Sequence, residues 1–162
     1  YRNLAVLQKL LGNMDKAEEY YDLAISTENA YDDFALASEY LVFLTSQKKY
    51  QKTWELYLSL PEYCKITDRI CISAASAAVQ LDKFDYLEDF FAREHYDVKE
   101  GECSLTDIWF LFCARKMAKE RGVDTASEIE MQKLVDEAWD TCPPPESIDF
   151  RMSFDKKLKY RI

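Results

Sequence analysis

One spacing constrains this chain more than any other feature. Ala17, Tyr21 and Ala24 stand at i, i+4 and i+7, shortly after the breaker Gly12-Asn13. A matching set of small and large residues recurs as Thr53, Tyr57 and Leu60, then as Leu87, Phe91 and Glu94, at steps of 36 and 34 residues. Residues three and four apart share a helix face. A period near 34 with paired helical segments marks a helix-turn-helix solenoid. One such unit leaves its apolar flank open, so its neighbours must complete the core. The 162 residues have room for about four of them.

Composition agrees with helix throughout. Only three glycines and four prolines occur, and three of the prolines are consecutive, Pro143-Pro144-Pro145. An apolar content of 48% excludes disorder. The net charge of −9 repels phosphate backbones, so nucleic acid is not expected as a partner. The charge is uneven: from Arg151 onward, Arg151, Lys156, Lys157, Lys159 and Arg161 stand against Asp155 alone. That tail reads as a solvated, frayed terminus, with contact to the domain's own acidic face as the alternative. The five cysteines, Cys64, Cys71, Cys103, Cys113 and Cys142, are odd in number and form no Cys-x-x-Cys pair. They read as free thiols in a reducing cytoplasm, with Cys71 and Cys113 serving as small hydrophobes in apolar helical stretches. No apolar run reaches the ~18 residues that span a bilayer, and no basic-then-apolar leader is visible, so no membrane partner is expected. The opening at Tyr1, inside a helical pattern, reads as an excised piece of a longer protein.

Four hairpins follow from the periodicity, over about 1–26, 31–61, 67–95 and 104–139, with 143–162 as a proline-rich stop and capping tail. In the first, Leu4, Leu7, Leu10 and Leu11 form an apolar stripe. Asp15 is expected to cap the second helix with Glu18 as its reciprocal partner. The second hairpin pairs a helix from Tyr31 to Ser46 with one that Pro61 stops. The third begins at a Thr67 or Asp68 cap and is rich in small residues from Ser73 to Ala78. The fourth starts at Ser104, with Asp107 completing a cap pattern, and ends its first helix at Gly122. Ser127 with Glu130 reads as a capping box, and the proline run ends the last helix. Ile148 to Met152 are apolar enough to lie back over the last hairpin.

On these residues the chain resembles the tetratricopeptide repeat family. That family carries Ala, a large aromatic and Ala at i, i+4 and i+7 of its second helix, with Pro five residues later. Ala17, Tyr21 and Ala24 match, with Asn29 in place of the proline, while Leu4, Ala5 and Gly12 fit the first helix and turn. Ala138 and Pro143 fit the last small position and terminal proline of the fourth hairpin. Thr53, Leu60, Leu87, Glu94 and Leu41 depart from the pattern, and about ten residues are inserted before Met131. The resemblance implies an all-α antiparallel hairpin solenoid with a right-handed superhelix. A further resemblance, over 97–110 and 144–152, is to the C-terminal repeat region of large bacterial proteins with an N-terminal mutarotase-like β-sandwich. It implies, as the alternative function, an accessory helical domain of a carbohydrate-active enzyme whose catalytic residues lie elsewhere.

The family's geometry places its first helices along a concave groove. Carried over here, the groove receives Arg2, Val6 and Lys9, then Ser38, Val42 and Thr45, then Arg69, Ile72, Ser76 and Gln80, with Arg115 and Lys116 from the last hairpin. The Lys, Arg and Asn set that clamps a peptide carboxylate in some members meets Val6, Val42 and Ser76 here. Chemistry has little footing. His95, the only histidine, stands at a helix end without an evident nucleophile. Glu18 to Asp22 and Glu128 to Glu137 read as solvated acidic faces. Dispersed cysteines do not make a zinc site, and clustered glycines for a phosphate loop are missing. The adjacent aromatic pairs Tyr20-Tyr21, Phe90-Phe91 and Trp109-Phe110 point about 100° apart on a helix, which leaves one of each pair near an edge. The sequence thus points to a non-catalytic, cytoplasmic scaffold without cofactor or metal, whose partner is a protein, a peptide or another domain of its own chain.

Overall fold

A computed structural model describes residues 1–27, 30, 34–98 and 103–152. Among the described residues the chain is all-helical: α1 (Arg2–Leu10), α2 (Met14–Ile25), α3 (Phe34–Ser46), α4 (Tyr50–Ser59), α5 (Asp68–Gln80), α6 (Phe84–Ala92), α7 (Ser104–Arg121) and α8 (Glu128–Thr141), then a short 3-10 turn at Glu146–Ile148. The expected start of the second hairpin at Tyr31, the Asn29 position, the loop 99–102 and the basic residues Lys156, Lys157, Lys159 and Arg161 lie outside the described residues. Two compact units divide the chain, 1–73 and 74–162, with the boundary inside α5.

In the first unit α1 packs on α2, α2 on α3 and α3 on α4. Its core joins Ala5, Ala17, Tyr21, Ala24, Ala30, Leu36, Tyr40, Phe43 and Leu44. The small residues matter here: Ala5 and Ala17 are fully buried, and a side chain of one carbon lets two helix axes close up. The expected leucine stripe of α1 is corrected. Leu4, Leu7, Leu10 and Leu11 are all exposed, and Ala5 is the residue that α1 buries.

In the second unit α6 packs on α7 and α7 on α8. Aromatic rings fill it: Phe91 meets Trp109 edge-on at 5.1 Å, Phe91 meets Phe112 at 5.6 Å, and Phe110 meets Trp139 at 4.6 Å. Trp109 and Tyr20 sit half-buried, but both Phe90 and Phe91 are buried, against the expectation of an edge. The reason is cover from two sides. The His95 ring lies 4.7 Å from Phe90, and Trp109 closes over Phe91.

Three inter-helix turns share one backbone solution. After α1, α3 and α5 the chain passes through a left-handed residue, Gly12 at φ 79°, Lys48 at φ 56° and Asp82 at φ 53°. The next amide then donates back five residues, Asn13 to Gln8 O at 2.9 Å, Lys49 to Leu44 O at 3.0 Å and Lys83 to Ala78 O at 2.9 Å. This closure satisfies carbonyls that a helix end would otherwise strand. The turns recur at steps of 36 and 34 residues, in register with Ala17, Thr53 and Leu87, all three fully buried. Gly122, at φ 67°, ends α7 in the same way, with Val123 donating to Ala118 O. Five further residues then intervene before α8, and Ser127 accepts from the Glu130 amide as a side-chain cap. The other cap expectations shift. Asn13 occupies the N-cap position of α2, with Asp15 in its first turn, and Cys103 that of α7, with Ser104 already helical, neither with a side-chain cap bond.

Candidate functional site

A dense polar arrangement lies in the first unit, where Tyr21 and Asp22 of α2 meet Glu39 and Tyr40 of α3. The two tyrosine rings stack at 5.0 Å, nearly parallel at 15°. Each hydroxyl then donates to the carboxylate beside the other ring: Tyr21 to Glu39 Oε1 at 2.5 Å and Tyr40 to Asp22 Oδ1 at 2.5 Å. Cations close the outer side. Arg2 of α1 donates to Glu39 Oε2 through Nε at 3.2 Å and Nη2 at 3.0 Å. Lys52 of α4 donates to Asp22 and to Glu18, both at 2.8 Å, and lies over the Tyr40 ring. Lys49 pairs with Glu18 as well.

The electrostatics follow from that wiring. Burial raises both phenols above the ordinary tyrosine value, and the carboxylates they donate to add to the shift. Both therefore stay protonated as donors. Burial opposes the Glu18 charge, yet the ammonium groups of Lys49 and Lys52 hold its carboxyl below the usual range. Burial likewise opposes the Lys52 charge, and the hydrogen bonds to Asp22 and Glu18 outweigh it and raise its pKa. Each proton here is held by a partner, so the arrangement serves to lock four helices together. Reading Glu18 to Asp22 as a solvated face missed this. A trace was present in the sequence: Tyr21 to Glu39 and Asp22 to Tyr40 are both 18 residues apart, donor and acceptor exchanged.

The twelve residues assigned to a groove fall in both units. In the first, Arg2 is committed to Glu39. Val6 and Lys9 are half-exposed on α1, Ser38 is buried, and Thr45 bonds back to Leu41 O at 2.8 Å. Val42 and Arg69 are exposed, and Ile72 is half-buried. In the second unit Ser76 and Gln80 are half-buried. Arg115 is buried, donating to Asp82 Oδ1 at 2.6 Å and to Gln80 O at 3.2 Å, where it ties down the α5–α6 turn. Lys116 pairs with Glu88 at 2.7 Å over the Phe112 ring. It lines an open depression of about 350 Å³ with Phe84, Asp85, Glu88, Lys119 and Glu120. Charges of both signs alternate there, so the depression has no strong preference for either.

Two features of the second unit differ from or go beyond the sequence reading, which placed Arg151 in a solvated, frayed tail. Arg151 is buried against two touching rings, with its guanidinium carbon 4.7 Å from Trp139 and 5.4 Å from Phe110, and is held by Asp149 at 2.9 Å. Trp109 Nε1 donates to Cys142 O at 2.9 Å, which pins the end of α8 to α7. His95 is buried, with Nε2 3.2 Å from the Phe90 carbonyl near the end of α6. Among the described residues no group of three or more His, Cys, Asp or Glu is placed to hold a metal, and no helix is long and apolar enough to cross a membrane. Comparison with protein-family models, with curated proteins and with solved structures finds no match.

Proposed function

We propose that the chain is a repeat scaffold resembling tetratricopeptide hairpins, binding a protein or peptide segment through the first helices of its hairpins. The observation that carries this reading is the recurrence of one left-handed turn at Gly12, Lys48 and Asp82, in step with the buried positions Ala17, Thr53 and Leu87. A turn that recurs at hairpin length is the feature a series of helix-turn-helix units would carry. The polar lock at Tyr21 and Tyr40 supports the same reading, because a preformed surface loses less entropy on binding. Recognition then rests on shape and a few anchors rather than on bond-making.

The candidates with open access in the first unit are Val42 and Arg69. The test is selection of a displayed random-peptide library on the purified chain. Enriched peptides that bind the wild type and weaken at least tenfold on Val42→Asp or Arg69→Glu, with unchanged helix content, support the proposal. Failure to enrich any peptide, or binding indifferent to both substitutions, overturns it.

A further inference from the structure

We infer that Cys113 and Cys142 form a reactive dithiol, a modification site at which a hydroperoxide closes an intramolecular disulfide between α7 and the end of α8. The placement comes from three contacts. Trp109 and Cys113 sit one turn apart on α7 and share a face. The Trp109 indole holds the Cys142 carbonyl at 2.9 Å, so the backbone of Cys142 lies over that same face. The Cys142 thiol lies close enough to Cys113 to disfavour its ionisation, and Cys142 Sγ also lies 3.6 Å from Thr141 Oγ1. Both are unoxidised thiols in the structure.

Their environments divide the labour. Cys142 follows the last residue of α8 and is partly open to solvent, whereas Cys113 is buried. Burial, with the Cys142 thiol beside it, pushes the Cys113 thiol up to about 12. A thiol so seldom ionised is a poor first nucleophile but has its partner sulfur already beside it. In the first step the Cys142 thiolate attacks a peroxide oxygen. The O–O bond breaks, the sulfur loses two electrons to become a sulfenic acid, and water or an alcohol departs. In the second, the Cys113 sulfur attacks the sulfenic sulfur. The S–S bond forms, the S–O bond breaks, and the hydroxyl leaves as water with the Cys113 proton. Cys64 and Cys71 are fully buried and so removed from a dissolved oxidant.

The test treats the whole chain with hydrogen peroxide, blocks remaining thiols with N-ethylmaleimide after denaturation, and analyses the tryptic digest by tandem mass spectrometry. The expected product joins fragment 100–115 to fragment 134–151 with loss of two hydrogens, reverts with dithiothreitol, and shows Cys103 alkylated and Cys113 in the bond. Cys113→Ser leaves a sulfenic acid at Cys142 that dimedone traps. A bond from Cys142 to Cys103 or to a second molecule overturns the proposal, and so does sulfinic acid at Cys142 with Cys113 still alkylated. The wild-type digest decides the question even where the variant does not fold.

Discussion

At residue scale the left-handed turns make the sharpest demands. Gly12, Lys48 and Asp82 take the same backbone, but only one of them is the residue that adopts it without strain. No atom lies within 4 Å of where a Gly12 side chain would start, so substitution there is a pure backbone experiment. Gly12→Ala should cost about 1 kcal/mol in urea unfolding, and Lys48→Gly should add about 0.5–1 kcal/mol. Asp82 is compensated differently, because buried Arg115 grips both its carboxylate and the Gln80 carbonyl. Arg115→Met should therefore lower stability by about 1–3 kcal/mol, since a charge-assisted bond is lost where a helix ends. The glycine turn was legible as a breaker in the sequence. Lys48 carries no such mark, and Asp82, though Asp enters the left-handed region more readily than most residues, has no glycine or proline beside it.

The helices themselves were read from periodicity, and their all-helical character holds across the described residues. What periodicity misjudged is which face turns inward. A leucine stripe on α1 scores as a core face, but the α1–α2 contact is made through Ala5 and Ala17, where volume rather than hydrophobicity decides. Ala17→Trp should accordingly abolish the cooperative melt of the first unit or lower it by at least ~1–3 kcal/mol, followed by circular dichroism. The polar lock between helices was illegible for another reason. Charged residues on a helix usually face water, and only the pairing of distant residues shows that Glu18 and Asp22 do not stand alone. The lock has a pH signature. The Glu18 carboxyl is held low in the folded chain, so its contribution is complete above the unfolded value near about 4.3 and is lost as pH falls through the folded one. Lys52, held high, contributes fully below its ordinary value near about 10.4 and loses that contribution only as pH rises beyond it. Acid titration of wild type should thus lose stability more steeply below about pH 4 than titration of Glu18→Gln, which lacks that transition.

Across the whole molecule the surface combines an acidic balance with a patch of oil. The net charge of −9 makes copies repel at neutral pH, while Leu4, Leu7, Leu10 and Leu11 lie exposed along α1 and at its end. Near the isoelectric point of about 4.7 the repulsion vanishes. Light scattering should then rise, and Leu7→Gln with Leu11→Gln should suppress the rise while leaving helix content unchanged. The stacking of Arg151 on Trp139 has a different use. The chain has three indoles, and that of Trp139 carries a guanidinium on its face. Its emission colour is therefore a built-in gauge of whether the segment after the proline run is seated, readable in a cuvette without any added dye.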